Sequence, residues 1–287
     1  MPARIAPMCL AALGIFAFTT TLLAQSLQPS RALYNFEPSR LSQNGEAMPL
    51  EGRIAYELTG NDCKGYQVDS RIANIYAGQD GQRRVDLASA TFEAGDGKSF
   101  DAKQTRYVNA QAGDEEHIAV QRADNGSGKG TIRGPRKVDF DVKPEVLFPS
   151  AFEKKLLAAA MRGEKRDESL LFDGSDGEKT FRAFTTIGPL RPPGSVVADK
   201  NNPAAAPLMA LRSWSFAISY FPASDDKAET ADYQSDFIMY ENGVTTSMTI
   251  DYGTYALKGT LAQLQMLPDE PCTPDAAPAA NAPATPQ

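Results

Sequence analysis

The stretch GRIAYELTGNDCKGYQVDSRIANIY, residues 52–76, alternates apolar and polar positions on either side of a central cysteine. Ile54, Tyr56 and Leu58 fall on one face of 52–60. Tyr66, Val68, Ser70, Ile72, Asn74 and Tyr76 fall on one face of 66–76. Side chains of an extended strand point to opposite faces in turn, so a period of two marks strands half buried against a core. The period recurs in RRVDLASATFEA (83–94), SFDAKQTRYVN (99–109), HIAVQRA (117–123), KVDFDV (137–142), KTFRAFTTIG (179–188) and SWSFAISYF (213–221). It returns in SDFIMYENG (235–243), VTTSMTIDYG (244–253) and TYALKGTLAQLQML (254–267). AGQDG, GDGKS and ADNGSGKG separate the early runs with residues that accept the positive φ of tight turns. Short strands joined by such turns, with few helices, predict an antiparallel all-β fold.

One helix interrupts the pattern. FPSAFEKKLLAAAMRGEK (148–165) offers Ser150 as N-cap with Glu153 three residues on, a capping-box pattern, and Gly163 as the stop. Phe152, Leu156, Leu157, Ala160 and Met161 make its apolar stripe. That stripe predicts packing on the sheet or plugging of its open end, in preference to a ligand site. RPPGSVVADKNNPAAAP (191–207) is read as a flexible surface loop, and residues 273–287 as a Pro/Ala-rich disordered tail. The remainder, 25–272, is read as a single β domain.

The N-terminus assigns the compartment. MPARIAPM carries Arg4 and no acid, and an apolar run from Cys9 to Ala24 follows before polar Gln25. This is the form of a secretory signal peptide over 1–24. The run is shorter than the roughly 20 apolar residues a membrane-spanning helix needs. Export would leave Cys63 and Cys272 as the only cysteines. An even count in an oxidising compartment reads as a disulfide. A zinc site would need more ligands than His117, the single histidine, can complete, and a thiol nucleophile would depend on that same residue. The bond would close a loop of roughly 210 residues, for which chain entropy gives about 5 kcal/mol.

The net charge of −7 argues against a nucleic-acid partner, whose phosphates demand a basic surface. No motif supplies catalysis or a cofactor. GDGKS (95–99) lacks the leading glycine and following helix of a phosphate loop, with Phe92 where the glycine belongs. FDGSDGEK (172–179) breaks the acidic rhythm of a calcium loop and reads as a turn joining LLF to KTFRAF. His117 beside Glu115 and Glu116 reads as an exposed strand residue, and no nucleophile elbow is present. Paired carboxylates for glycan cleavage leave no spacing to read. The aromatic residues Trp214, Tyr220, Phe237, Tyr240 and Phe152 are candidates to line a pocket or groove, with core packing the favoured alternative.

The chain resembles the cell-envelope integrity EipB-like family of alphaproteobacteria. The likeness is carried by GRIAYELTGNDCKGYQVDSR, DLASATFEAGDGKSF, FDGSDGEK, SWSFAISYF and FIMYENGVTTSMTIDYGTYALKGTLAQLQMLPDEPC. It spans about residues 30–272, and its most specific parts are the YENGV…DYG…LKG run and the two flanking cysteines. The resemblance implies a periplasmic protein with a spiral or partly closed antiparallel β-barrel and a Cys63–Cys272 disulfide. It also implies a role in protecting the envelope from stress, with no catalytic residues and no cofactor. It suggests as partner a periplasmic or envelope protein, a repeat protein being one candidate, or else a lipid or lipoprotein. SRALY (30–34) lacks the histidine the family pattern leads one to expect, and 191–207 is longer than typical. Two functions follow as expectations: a non-enzymatic interaction protein, or a carrier holding lipid or lipoprotein in a β cavity. A hydrolase working through paired acids is a third.

Overall fold

The computed structural model describes residues 26–41, 49–78, 81–225, 227–270 and 272. The signal segment 1–24 and the 273–287 tail lie outside the described residues.

The first run of strands is β1 (Ser30–Arg40), β2 (Pro49–Asn61), β3 (Gly65–Gly78), β4 (Gly81–Ala94), β5 (Ser99–Val108), β6 (Gln111–Arg122), β7 (Gly128–Arg133) and β8 (Lys137–Val142). After β9 (Val146–Leu147) and helix α1 (Pro149–Met161), the second run is β10 (Arg166–Leu171), β11 (Phe181–Ile187), β12 (Ser213–Pro222), β13 (Tyr233–Tyr240), β14 (Thr245–Asp251) and β15 (Ala256–Met266). Between β11 and β12 lie α2 (Val197–Lys200) and a 3-10 helix (Pro203–Leu208). All fifteen strands form one sheet in the order β8-β7-β6-β5-β4-β3-β2-β1-β15-β14-β13-β12-β11-β10-β9.

Each run is a meander in which sequence neighbours pair antiparallel; only β9 and β10 pair in parallel. The two meanders meet at β1 and β15, so the first strand lies beside the last. Register breaks at Leu33/Tyr34, Pro38/Arg40, Thr105/Tyr107 and Asp236/Ile238 kink the strands, as bulges do, and help the sheet curl. The result is a nearly closed barrel with free edges at β8 and β9. Asn109 and Ala110, both at positive φ, make the tight turn between β5 and β6.

Alternation decides which face is inside. On β1 and β2, Ala32, Tyr34, Phe36 and Leu58 are buried, while Arg31 and Glu57 face outward. The interior holds α1. Phe152, Leu156, Leu157 and Ala160 pack with Tyr66, Phe181, Trp214, Phe216, Ile218 and Tyr220. A second aromatic core lies under β5–β8, where Phe100 stacks on Phe148 at 5.2 Å and meets Phe172 edge-on at 5.6 Å.

Two sequence expectations need correction. Ser150 is not the N-cap: the helix starts at Pro149, the cap position is Phe148, and no cap side chain bonds there. The cap comes from across the barrel, where the Glu93 carboxylate on β4 accepts from the backbone N–H of Ser150 at 2.8 Å and of Ala151 at 3.3 Å. A carboxylate at that end also meets the positive pole of the helix dipole. Segment 191–207 runs over the surface, with Pro192, Pro193 and Val197 exposed, but it is anchored there: it carries α2 and most of the 3-10 helix, and Val196 and Ala205, with Leu208 just beyond, are buried against Tyr240, Val244 and Leu261. Buried Asp199 accepts hydrogen bonds from the hydroxyls of Tyr240 at 2.8 Å and Thr246 at 2.7 Å. Asn202 donates to the Leu261 carbonyl at 2.8 Å. Proline and alanine composition suggested exposure, which most of the segment keeps; the polar anchors Asp199 and Asn202 hold it to the barrel.

Candidate functional site

Cys63 at the β2–β3 turn and Cys272 beyond β15 are joined by a disulfide, with Cα atoms 5.6 Å apart and 209 positions between them in sequence. The bond spans β1, the strand where the two meanders join. Its surroundings are tied by hydrogen bonds. Asn61 Oδ1 accepts from the N–H of Cys63 and of Lys64 at 2.9 Å each, and Asn61 Nδ2 donates to the Glu270 carbonyl at 3.1 Å. On the opposite side of β1, Gln28 Nε2 donates to the Leu267 carbonyl at 2.9 Å.

Two hollows lie on either face of β1 and β2. The first is a depression of about 850 Å³ on the outer face of β1–β6 and β15. Ala55, Ala88 and Ala90 are among its small floor residues. Charged pairs rise from it: Arg31–Glu57 at 2.7 Å and Lys103–Glu115 at 2.8 Å. Arg71 reaches from its lining to buried Asp86 at 2.6 Å. The Arg31 guanidinium holds Glu57 below the usual carboxylate range. Arg84 and Arg71 together do the same for Asp86 against the cost of burial. The outer face thus offers a smooth strip of small side chains between rows of paired charges.

The second hollow lies inside. A cavity of about 230 Å³ is walled by Ala32, Tyr34, Ile54, Tyr56, Leu58, Val244 and Met248, and closed on one side by Glu153 of α1. The Tyr34 hydroxyl donates to the Thr245 carbonyl at 3.0 Å. Burial, with repulsion from Glu93 as a lesser cause, pushes the Glu153 carboxyl up to about 7. Burial also pushes Tyr34 up to about 12 and Tyr56 well above the ordinary tyrosine value. Both phenols are therefore neutral at any physiological pH.

Of the sequence candidates, Cys63 and Cys272 are brought together. Trp214, Tyr220, Phe237 and Phe152 gather around α1 as core: Trp214 is 3 % exposed, Phe237 stacks on Phe216 at 5.6 Å, and Tyr220 meets Phe181 edge-on. Tyr240 belongs to a different cluster, bonded to Asp199. None of the five lines either hollow. They pack as core, the alternative the sequence favoured, because inward aromatic residues opposite a helix are consumed by packing against it. His117 is exposed on β6 and hydrogen-bonds Asp101 at 2.8 Å. FDGSDGEK is a turn in which Asp173 Oδ1 accepts from the Ser175 N–H and hydroxyl. Among the described residues no cluster of three or more His, Cys, Asp or Glu could hold a metal ion.

The sequence offered Glu153 only as a capping-box residue, and did not single out Tyr34. The signal for Glu153 was present: it lies three and four positions before Leu156 and Leu157, on the stripe that should be apolar.

A family model described as EipB-like matches residues 22–268. A curated relative, the cell envelope integrity protein EipB of Brucella abortus (strain 2308), is 28 % identical over 259 residues, covering 88 % of this chain and 89 % of the relative. A crystal structure of a β-barrel-like protein of a domain of unknown function, DUF1849, also from Brucella abortus, superposes with a TM-score of 0.75 at 26 % identity. That match covers 84 % of this chain and 99 % of the other.

Proposed function

The chain belongs to the EipB-like family, and on that premise we propose that it is an exported, non-enzymatic protein that maintains the cell envelope by binding another envelope protein. The observation that carries this reading is the outer depression. It is the larger of the two hollows, Ala55, Ala88 and Ala90 are among its lining, and its charged pairs stand on neighbouring strands of one sheet. Such a surface suits a docked protein segment, for which a polar rim around a small apolar floor is the usual composition.

The relative's name, a cell envelope integrity protein, supports the physiological side of the proposal. The disulfide supports an oxidising compartment such as the periplasm. The interior favours interaction over lipid or lipoprotein carriage. Helix α1 and its aromatic partners pack inside the barrel, and the cavity of about 230 Å³ beside them falls below the roughly 300 Å³ at which pockets begin to hold drug-sized ligands. The acids speak against glycan cleavage. Glu93 is committed to the start of α1, and Glu153 is shut in a cavity too small for a sugar chain.

Deleting the gene should sensitise cells to detergent and to wall-active antibiotics. Ala88→Arg and Ala90→Arg, placed on the depression floor, should leave the melting temperature within a few degrees of the parent yet fail to restore resistance. Full restoration by both folded variants would remove the depression as the working surface. A deletion with no envelope phenotype would remove the function itself.

A further inference from the structure

The interior cavity contains an acid with nothing to pair with. Neither the Glu153 carboxylate nor the Tyr56 hydroxyl has a hydrogen-bond partner among the described residues, and no Lys, Arg or His lines the cavity. The neighbouring Lys154 is turned away to Asp62 at 2.8 Å. The titratable group that acts most on Glu153 is another acid, Glu93. A half-buried carboxylate with no partner, in a cavity walled mainly by hydrocarbon and aromatic rings, is costly, and a counter-charge would relieve that cost.

We propose that this cavity binds a small organic ammonium ion, its charge against Glu153 and its apolar body among Tyr34, Tyr56, Ile54 and Met248. Chemistry excludes the other occupants. A hard metal ion wants about six or more oxygen ligands, and the walls here are mainly hydrocarbon and aromatic ring. A neutral apolar guest would fill the volume and leave the carboxylate unpaired. An anion would be repelled. An ammonium pairs with the acid and is also attracted to the faces of aromatic rings, the arrangement used to recognise alkylated amines. With roughly 30 Å³ per water-sized unit, 230 Å³ accommodates a butyl- or benzylammonium and no lipid chain with its headgroup. The inference does not depend on the outer depression. Either could fail alone.

The test uses the mature oxidised protein with ¹³C-methyl methionine, because the Met248 methyl reports occupancy of the cavity directly. Butylammonium and benzylammonium are titrated beside their uncharged counterparts, butanol and benzyl alcohol. Saturable shifts of the Met248 resonance by an ammonium are expected, with the matching alcohol at least tenfold weaker. Glu153→Gln, nearly identical in shape, should weaken ammonium binding at least tenfold, while Glu57→Gln on the outer face should not change it. A melting curve for each variant verifies folding. Equal binding of alcohol and ammonium, full binding by Glu153→Gln, or no Met248 shift with either ammonium at millimolar concentration would each overturn the assignment.

Discussion

Glu153 shows how one side chain can depart from its helix's pattern. It stands on the buried stripe of α1, and burial raises its carboxyl from an ordinary 4.5 to about 7. Between those two values the folded chain holds a proton that the unfolded chain has released. Stability contributed by this group therefore falls as pH rises through that window and levels off above it. Since the cavity admits water, about 1–3 kcal/mol is at stake. Glu153→Gln should become more stable than the parent by that margin at pH 8 and match it closely near pH 4.5, as read from urea midpoints. Parallel pH profiles for the two proteins would contradict the account. The sequence showed the glutamate but pointed to a capping role. The actual cap, Glu93, stands on a strand 57 positions from Ser150, where no local pattern could reveal it. Four of the five aromatic candidates lie on strands whose alternation was readable, and Phe152 lies on the helix the sequence announced; that these residues are spent on packing was the favoured reading.

At the scale of elements, strands with clean alternation were legible almost to the residue, as KVDFDV is at β8. β7 was hidden because GKGTIR reads as turn chemistry. Its Gly130 sits directly beneath the Phe140 ring, which any β-carbon there would strike. Glycine in a strand marks such close approach. Gly259 under Phe36 repeats the device on β15. β1 carries the alternation of Ala32, Tyr34 and Phe36, but it also holds Pro38 and ends in polar residues, and its pairing with β15 spans nearly the whole chain. The anchoring of segment 191–207 was not legible because its anchors are single polar residues rather than a periodic face. Asp199 is the main one. Asp199→Ala should strand the hydroxyls of Tyr240 and Thr246, lowering stability by about 1–3 kcal/mol, and should open this segment to limited proteolysis before the barrel is cut. First cleavage at an unrelated site, with 191–207 still protected, would argue against its anchoring role.

At the scale of the molecule, the fold joins two meanders along a single pair of strands. Nothing in a local reading announces that β1 and β15 are neighbours; the two cysteines were the only long-range signal. Their bond holds the β2–β3 turn to the segment after β15, on either side of β1. Chain entropy explains why this placement matters, since a loop of 209 residues is expensive to close in the unfolded state. The antiparallel class and partial closure were accessible from period and turn spacing together with the family resemblance. The outer depression was not, because its shape depends on how sharply the sheet bends across seven strands, and its floor alanines carry no distinctive pattern.

The central claim is that the Cys63–Cys272 bond fastens the two meanders together where they meet at β1. Thermal unfolding of the oxidised protein, beside Cys63→Ser/Cys272→Ser, tests it most directly. A bond of this span contributes about 2–5 kcal/mol, so the double variant should melt roughly 5–15 °C lower while keeping its β signature. Equal melting temperatures for the two proteins, with both cysteines found as free thiols, would contradict it.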